Sequence, residues 1–253
     1  MGRRLAIIAL AFSAVAPLLL LGLWSVGDQW FFPALLPPHL TDDSWKALLG
    51  GRLAREAIES GVVAIATAAI ACALALPVGH AMARLSGWRR RVAAAVAFLP
   101  VAAPPIALGL GLQYAFATLG LTGTIGGVIL AHVVPATGFL AIYFAGVFTA
   151  LDPRIEDEAR SLGAKPLQVW IHITMPIVKR QIGDALALGF LVSWAQVPLT
   201  LVIGGGVVRT LPLAVYDYVR AGETRYAATG ALLLTIPPML ALLAARRERV
   251  APL

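Results

Sequence analysis

Residues 92–151 read VAAAVAFLPVAAPPIALGLGLQYAFATLGLTGTIGGVILAHVVPATGFLAIYFAGVFTAL, sixty residues without an Asp, Glu, Lys or Arg. A bilayer-crossing helix needs about 20 mostly apolar residues. The run is therefore too long for one span. Gly120-Leu121-Thr122-Gly123 is a turn signal near its middle, and glycines of this kind punctuate helical patterns. The stretch reads as two membrane helices joined by a tight turn.

Working outward, Leu5–Gly27, Ser60–Ala83, Ala185–Val208 and Tyr226–Ala245 are also free of Asp, Glu, Lys and Arg. Six transmembrane helices are expected, roughly over 5–26, 60–83, 92–118, 125–150, 184–204 and 226–245. The expected fold class is an all-α membrane protein, with residues 1–253 forming a single transmembrane domain. Arg3-Arg4 before an apolar stretch fits a secretory signal. The apolar stretch exceeds the about 7–15 residues of such a signal and no small-residue cleavage site follows, so a retained anchor is the expectation.

The composition agrees. Of 253 residues, 59% are hydrophobic and 13% charged, with mean hydropathy +0.83, whereas soluble domains carry about 25% charged residues. The net charge of +7 would point to nucleic acid in a soluble chain. Here 14 of the 20 basic residues fall in segments that share a side with the N-terminus. Basic residues favour the cytoplasmic side, so both termini are expected there and no nucleic-acid partner is needed. Cys72 is the single cysteine, which excludes an internal disulfide and a cysteine metal site. His39, His80, His132 and His172 are scattered.

Prolines 77, 100, 104, 105, 135, 198, 237 and 238 interrupt the helices. Each removes a backbone donor and frees a carbonyl. In lipid those carbonyls must be satisfied by neighbouring helices or water. Polar residues within the spans are sparse. Gln113, Ser193, Trp194, Gln196 and Thr200 are the candidates to line a path, or else to hydrogen-bond between helices. No acid or base lies at the centre of a span, which argues against ion-coupled transport through fixed intramembrane charges.

One polar segment carries a more specific pattern. Residues 151–176, between the fourth and fifth spans, read LDPRIEDEARSLGAKPLQVWIHITMP. Asp152 and Pro153 are a helix start, and Glu156, Asp157 and Glu158 lie near its positive N-terminal end. Gly163 suits the left-handed residue that ends a helix. Pro166 opens a second short helix, with Leu167, Trp170 and Ile171 on one face. Two short helices meeting at a glycine turn are expected on the cytoplasmic side.

This segment resembles the EAA loop of permease subunits of type I, binding-protein-dependent ABC importers. The family pattern is E-A-A, three residues, G, nine residues, then I-x-L-P. Here it reads Asp157-Glu158-Ala159, then Gly163, then Ile173-Thr174-Met175-Pro176. Asp157 replaces Glu and Met175 replaces Leu, while Glu158 stands where the family has Ala. Ala83-Arg84 at the end of the second span and the six-helix count also agree. Residues 99–109 (LPVAAPPIALG), 204–206 (GGG) and 210–212 (TLP) resemble the branch that imports spermidine and putrescine, ferric iron, thiamine, sulfate or phosphonates.

The resemblance implies a coupling loop, residues 151–180, that docks into a separate ATPase. Glu156, Asp157, Glu158, Ala159, Leu162, Gly163, Ala164 and Leu167 are its implied contact residues. It further implies two ATPase chains that bind the ATP and magnesium, a second permease of the same or a different kind, an extracytoplasmic binding protein, and residence in a bacterial inner membrane. The outer segment 27–59 and the loop 205–225 would face that binding protein. Trp30, Phe31, Phe32 and Trp45 form an interfacial aromatic belt or else touch that protein. No G-x-x-x-x-G-K-[ST] loop occurs, and no Gly-Lys pair, so the chain is not expected to hydrolyse ATP or to hold a cofactor or metal. The rival readings are an ion-coupled carrier or channel, which needs no such loop, and an intramembrane enzyme built on Ser193 and a histidine. H-E-x-x-H is absent, which removes the usual metalloprotease signature.

Overall fold

The computed structural model describes residues 2–30 and 33–250; Phe31 and Phe32 lie outside them. Helices dominate. They run α1 (Gly2–Val26), α2 (Asp43–Gly50), α3 (Arg52–Arg84), α4 (Gly87–Ala102), α5 (Pro105–Thr118), α6 (Ile125–Thr149), α7 (Arg154–Ser161), α8 (Pro166–Val169), α9 (Met175–Ile177), α10 (Lys179–Trp194), α11 (Pro198–Gly204), α12 (Leu211–Arg220) and α13 (Thr224–Val250). A π-helical turn, Trp170–Thr174, joins α8 to α9. Two two-residue strands, β1 (Gly27–Asp28) and β2 (His39–Leu40), pair antiparallel.

Each of the six expected segments is helical. Among the described residues, α3 and α6 are long and apolar enough to cross a membrane alone. The third and fifth segments differ from expectation, because each is two helices rather than one. α4 and α5 meet at 94°, and α10 and α11 at 64°. The physical reason is proline. Pro104 and Pro105 start α5, and Pro198 starts α11. None has an N–H for the preceding turn, and at the first break the residue before Pro104 is driven out of helical geometry. Ala103 is accordingly extended, at φ −65° and ψ 137°. Counting each bent pair as one span gives up to four candidate spans.

The chain divides into two compact units, residues 62–208 and residues 1–61 with 209–253. In the first, the core comes from α3 (Ala71, Cys72, Ala75, Leu76), α6 (Ala136, Leu140, Ala141, Phe144, Ala145) and α10 (Ala185). The many alanines let the helix backbones approach, which is how helices associate where lipid removes the hydrophobic incentive. Gly79 marks a close approach of α3 to α6. A Cβ there would overlap Phe144 Cβ and come within 2.9 Å of the Ala145 nitrogen. Thr124 caps α6 by accepting from the Gly127 N–H at 3.0 Å. A second cluster gathers Val63, Val128, Ala131, Leu199 and Ile203.

In the other unit, α13 packs against α1 and α12. Buried hydroxyls stitch it together. Thr229 donates to Ser44 Oγ at 2.9 Å, and Ser44 donates to the Ser25 carbonyl at 2.7 Å. Arg225 bonds Asp28 at 3.1 Å, which ties the small hairpin to the start of α13. Trp45 donates to Ser25 Oγ at 3.2 Å, and Trp30 to the Ala34 carbonyl at 2.9 Å.

Candidate functional site: the loop after α6 and the bent helix pairs

The loop after α6 forms because its sequence specifies both ends of α7. Asp152 Oδ1 accepts the Arg154 N–H at 2.9 Å and closes the first turn. At the other end Gly163 takes φ +90°. Its N–H donates to the Arg160 carbonyl at 3.0 Å, and the Ala164 N–H donates to the Ala159 carbonyl at 3.1 Å. That pair is a complete Schellman closure, which needs a residue at positive φ and so favours glycine. The chain then turns straight into α8, where the Lys165 N–H donates to Gln168 Oε1 at 2.8 Å.

The eight residues of the implied contact set divide in two. Asp157, Glu158, Leu162, Gly163 and Leu167 are exposed, and Ala159 and Ala164 are half-buried. Leu162 is 88% exposed and Leu167 67%. A pair of leucines this open on so polar a loop is an apolar spot rimmed by charge. Glu156 does not share that face. It is buried at 8% exposure, so it is not presented outward with its neighbours. Residues one position apart point about 100° apart around a helix, and α7 turns Glu156 inward.

There Glu156 ties three segments together. Oε2 accepts from Arg84 Nη2 at 2.7 Å, and Oε1 accepts from Thr174 Oγ1 at 2.9 Å. His80 Nε2 lies 3.0 Å from Oε1, and Arg160 Nη2 lies 3.5 Å from Oε2. His80 is held edge-on between Phe148 and Trp170, with ring centroids 4.9 and 5.2 Å away. Burial pushes the Glu156 carboxyl up, but the Thr174 and His80 hydrogen bonds and the His80 and Arg84 charges outweigh it and hold the carboxyl below its ordinary value. Sequence reasoning missed this node. The signal was the i, i+4 spacing of His80 and Arg84, which puts both on one face of α3.

The candidate path residues also divide. Gln196 sits in the break between α10 and α11 and lines a cavity of about 140 Å³. Pro100 and Pro105 at the other break line it too, with Pro135 and Phe139 of α6. Gln113 is exposed on α5. Trp194 is buried and stacks on Phe190 at 5.5 Å.

Ser193 and Thr200 are locked into a buried relay. His132 Nδ1 lies 2.8 Å from Ser193 Oγ, and Nε2 lies 3.0 Å from Thr200 Oγ1. Thr200 donates to the Gln196 carbonyl at 3.2 Å. With that donation made, Thr200 accepts from His132 Nε2–H, and Nδ1 accepts from Ser193. This assigns the tautomer from the network. Ser193 lies in the last turn of α10 and Thr200 in the first turn of α11, so His132 braces the 64° bend. A serine–histidine pair is also the start of a hydrolytic site. Here Thr200 occupies the nitrogen where an orienting acid belongs, and His132 and Ser193 are 1% and 4% exposed. The pair is built to hold a helix break.

The family profile described as "Binding-protein-dependent transport system inner membrane component" matches residues 75–247. The chain belongs to this family. The resemblance read from the loop is borne out. The chain is similar to the molybdenum transport system permease protein ModB of Mycobacterium tuberculosis, 30% identical over 168 residues. That match covers 60% of this chain and 64% of the relative, under two thirds of its length. It is also similar to the putrescine transport system permease protein PotI of Escherichia coli, 28% identical over 235 residues, covering 87% of this chain and 80% of that one. Its fold matches a crystal structure of a bacterial ABC transporter involved in the import of alginate. The TM-score is 0.65 at 17% identity, over 99% of this chain and 95% of that one. The chain thus shares its fold with a chain of that solved transporter.

Proposed function

We propose that the chain is the membrane-spanning subunit of an ATP-driven importer in a bacterial inner membrane. It forms the path for a small solute delivered by an external binding protein. In this reading the six helical segments are six spans, with α4–α5 and α10–α11 each crossing as a bent pair and both termini cytoplasmic. The observation that carries it is the loop of α7 and α8. Its glycine closure, its inward Glu156 anchor and its open leucines are what a docking element requires. Leu162 and Leu167 enter a cleft on the ATPase, with Asp157 and Glu158 on the rim. Rim charges of this kind set specificity and association rate more than affinity.

Hydrolysis of ATP belongs to the partner ATPase, which binds the nucleotide and magnesium. A second permease, identical or different, completes the path. The family membership and the likeness to an alginate importer support this arrangement. The cavity at the two helix breaks, with Gln196 in its wall, is the proposed part of the path. Rocking of the bent pairs opens it alternately to each side.

The test is gentle purification of the tagged chain from its native membrane, with identification of every co-purifying protein by mass spectrometry. Recovery of an ABC ATPase, lost in Gly163→Leu, is the expected result. A folded chain recovered with no ATPase, under conditions that preserve known complexes, would transfer the reading to an ion-coupled carrier or channel.

A further inference from the structure

Away from the loop and the His132 relay, among the described residues, one ionisable group is buried with half its bonding capacity unused. Glu56 lies in the first turns of α3 and is 2% exposed. Its Oε1 accepts from Arg52 Nε at 2.9 Å. Its Oε2 is also buried and has no hydrogen-bond partner among the described residues. A carboxylate oxygen withdrawn from water and left unpaired is costly, so this oxygen calls for a donor.

The same side chain lines a cavity of about 180 Å³, together with Arg52, Ala214, Asp217, Tyr218, Ala221 and Glu223. Three carboxylates face one guanidinium there. Arg209, outside the lining, lies 3.7 Å from Asp217 and offsets part of the excess. Tyr218 is held in place by stacking on Tyr226 at 5.5 Å. A calcium ion would ask for six to eight oxygens, and Arg52 beside Glu56 opposes a divalent charge. A cation bearing N–H donors meets both needs. It satisfies Glu56 Oε2 directly and gains from an aromatic neighbour.

We propose that the Glu56 pocket is a binding site for a protonated amine or guanidinium group, with Glu56 Oε2 as the acceptor and Asp217 and Glu223 as the outer counter-charges. The chemistry stands on the pocket alone. That the pocket faces the external side, where residues 27–59 and 205–225 lie, rests on the proposed topology. The group arrives on a basic side chain of the binding protein or as a free cation, and the two sources are separable.

The full chain, purified with its membrane partners into nanodiscs, is unfolded thermally in millimolar butylammonium chloride and in sodium chloride of equal ionic strength. In a second arm, ATP hydrolysis by the same preparation is titrated with the binding protein. Glu56→Gln keeps the shape of the side chain and removes its charge. A free-cation site raises the wild-type midpoint saturably in butylammonium alone, and Glu56→Gln weakens that effect about 10-fold or more. A docking site instead raises the binding-protein concentration for half-maximal stimulation by a similar factor. Asp217→Asn gives the same direction with a smaller change, and it stands in if Glu56→Gln fails to fold. No change in either arm, with folded variants, overturns the proposal. Absence of any ATPase from the preparation would strike the importer reading instead, and the butylammonium arm would still read the site.

Discussion

Glu156 and His132 do the same mechanical job with opposite electrostatics. Each is a single buried side chain that ties together parts of the chain far apart in sequence. Glu156 does so as a charge held by Arg84 and Thr174, with His80 alongside. His132 does so between two hydroxyls, with no ion pair. The difference follows the distance to water. The Arg84 side chain beside Glu156 is 38% exposed, so the pair keeps part of its solvation. His132 is 1% exposed, next to Ala131 and Val133 in a helix that reads as a membrane span. An isolated charge there would cost several kcal/mol or more, whereas hydroxyl and imidazole groups satisfy one another at modest gain. A charged tie is strong, and a neutral one is weaker.

The largest expected effect breaks the charged tie. Glu156→Leu leaves Arg84 and the Thr174 hydroxyl without their acceptor. Removing one partner of a buried pair costs about 3–5 kcal/mol, and the partial exposure of Arg84 lowers this to about 2–3 kcal/mol. The thermal midpoint should fall accordingly, and ATPase retention during purification should fall with it. An unchanged midpoint would mean that Glu156 is incidental to the loop.

Next comes His132→Leu, which strands Ser193 and Thr200. About 1–2 kcal/mol is expected from two hydroxyls losing a partner inside the bundle. Spin-label distances across the α10–α11 break should broaden, because the bend loses its brace. If the distances stay sharp, proline alone sets the bend.

Acid tests the charged tie. The folded-state pKa of Glu156 lies below its unfolded value. Its stabilisation is therefore complete above the usual carboxylate range and is lost as pH falls through the folded value. Wild type should lose this stabilisation below about pH 4.5, and Glu156→Gln should flatten that part of the acid limb. Unfolding midpoints from pH 7 down to pH 3 decide this.

The smallest effect is Ser193→Ala, at about 0.6 kcal/mol, the usual size of a hydrogen bond between membrane helices. A loss above about 2 kcal/mol would show that the relay is cooperative rather than pairwise.

Much of this was legible in the sequence. The charge-free run of 92–151 marked two segments and the glycine turn between them, and Thr124 caps the second as the turn ends. Gly163 declared itself by spacing alone, since a Schellman closure is a local event. The bends were legible as prolines but not as angles, because 94° and 64° depend on what packs around the break. The acids 156–158 looked like one group, since adjacent residues share composition and not direction. Glu156 could be told apart only through His80 and Arg84, more than 70 residues away. Ser193 and Thr200, seven residues apart, share a helix face in spacing, yet the proline break between them hid whether that phase survived.

The π-helical turn at Trp170–Thr174 has a geometric consequence. Such a turn holds one residue more than the α-helix that would replace it. Deleting a single residue between 170 and 174 would let α8 and α9 merge into an ordinary helix. The angular phase between the loop and α10 would change little, because the wide turn takes up its extra residue within about one turn. The extra residue is slack stored in the backbone. It can be taken up without turning the face that carries Leu162 and Leu167.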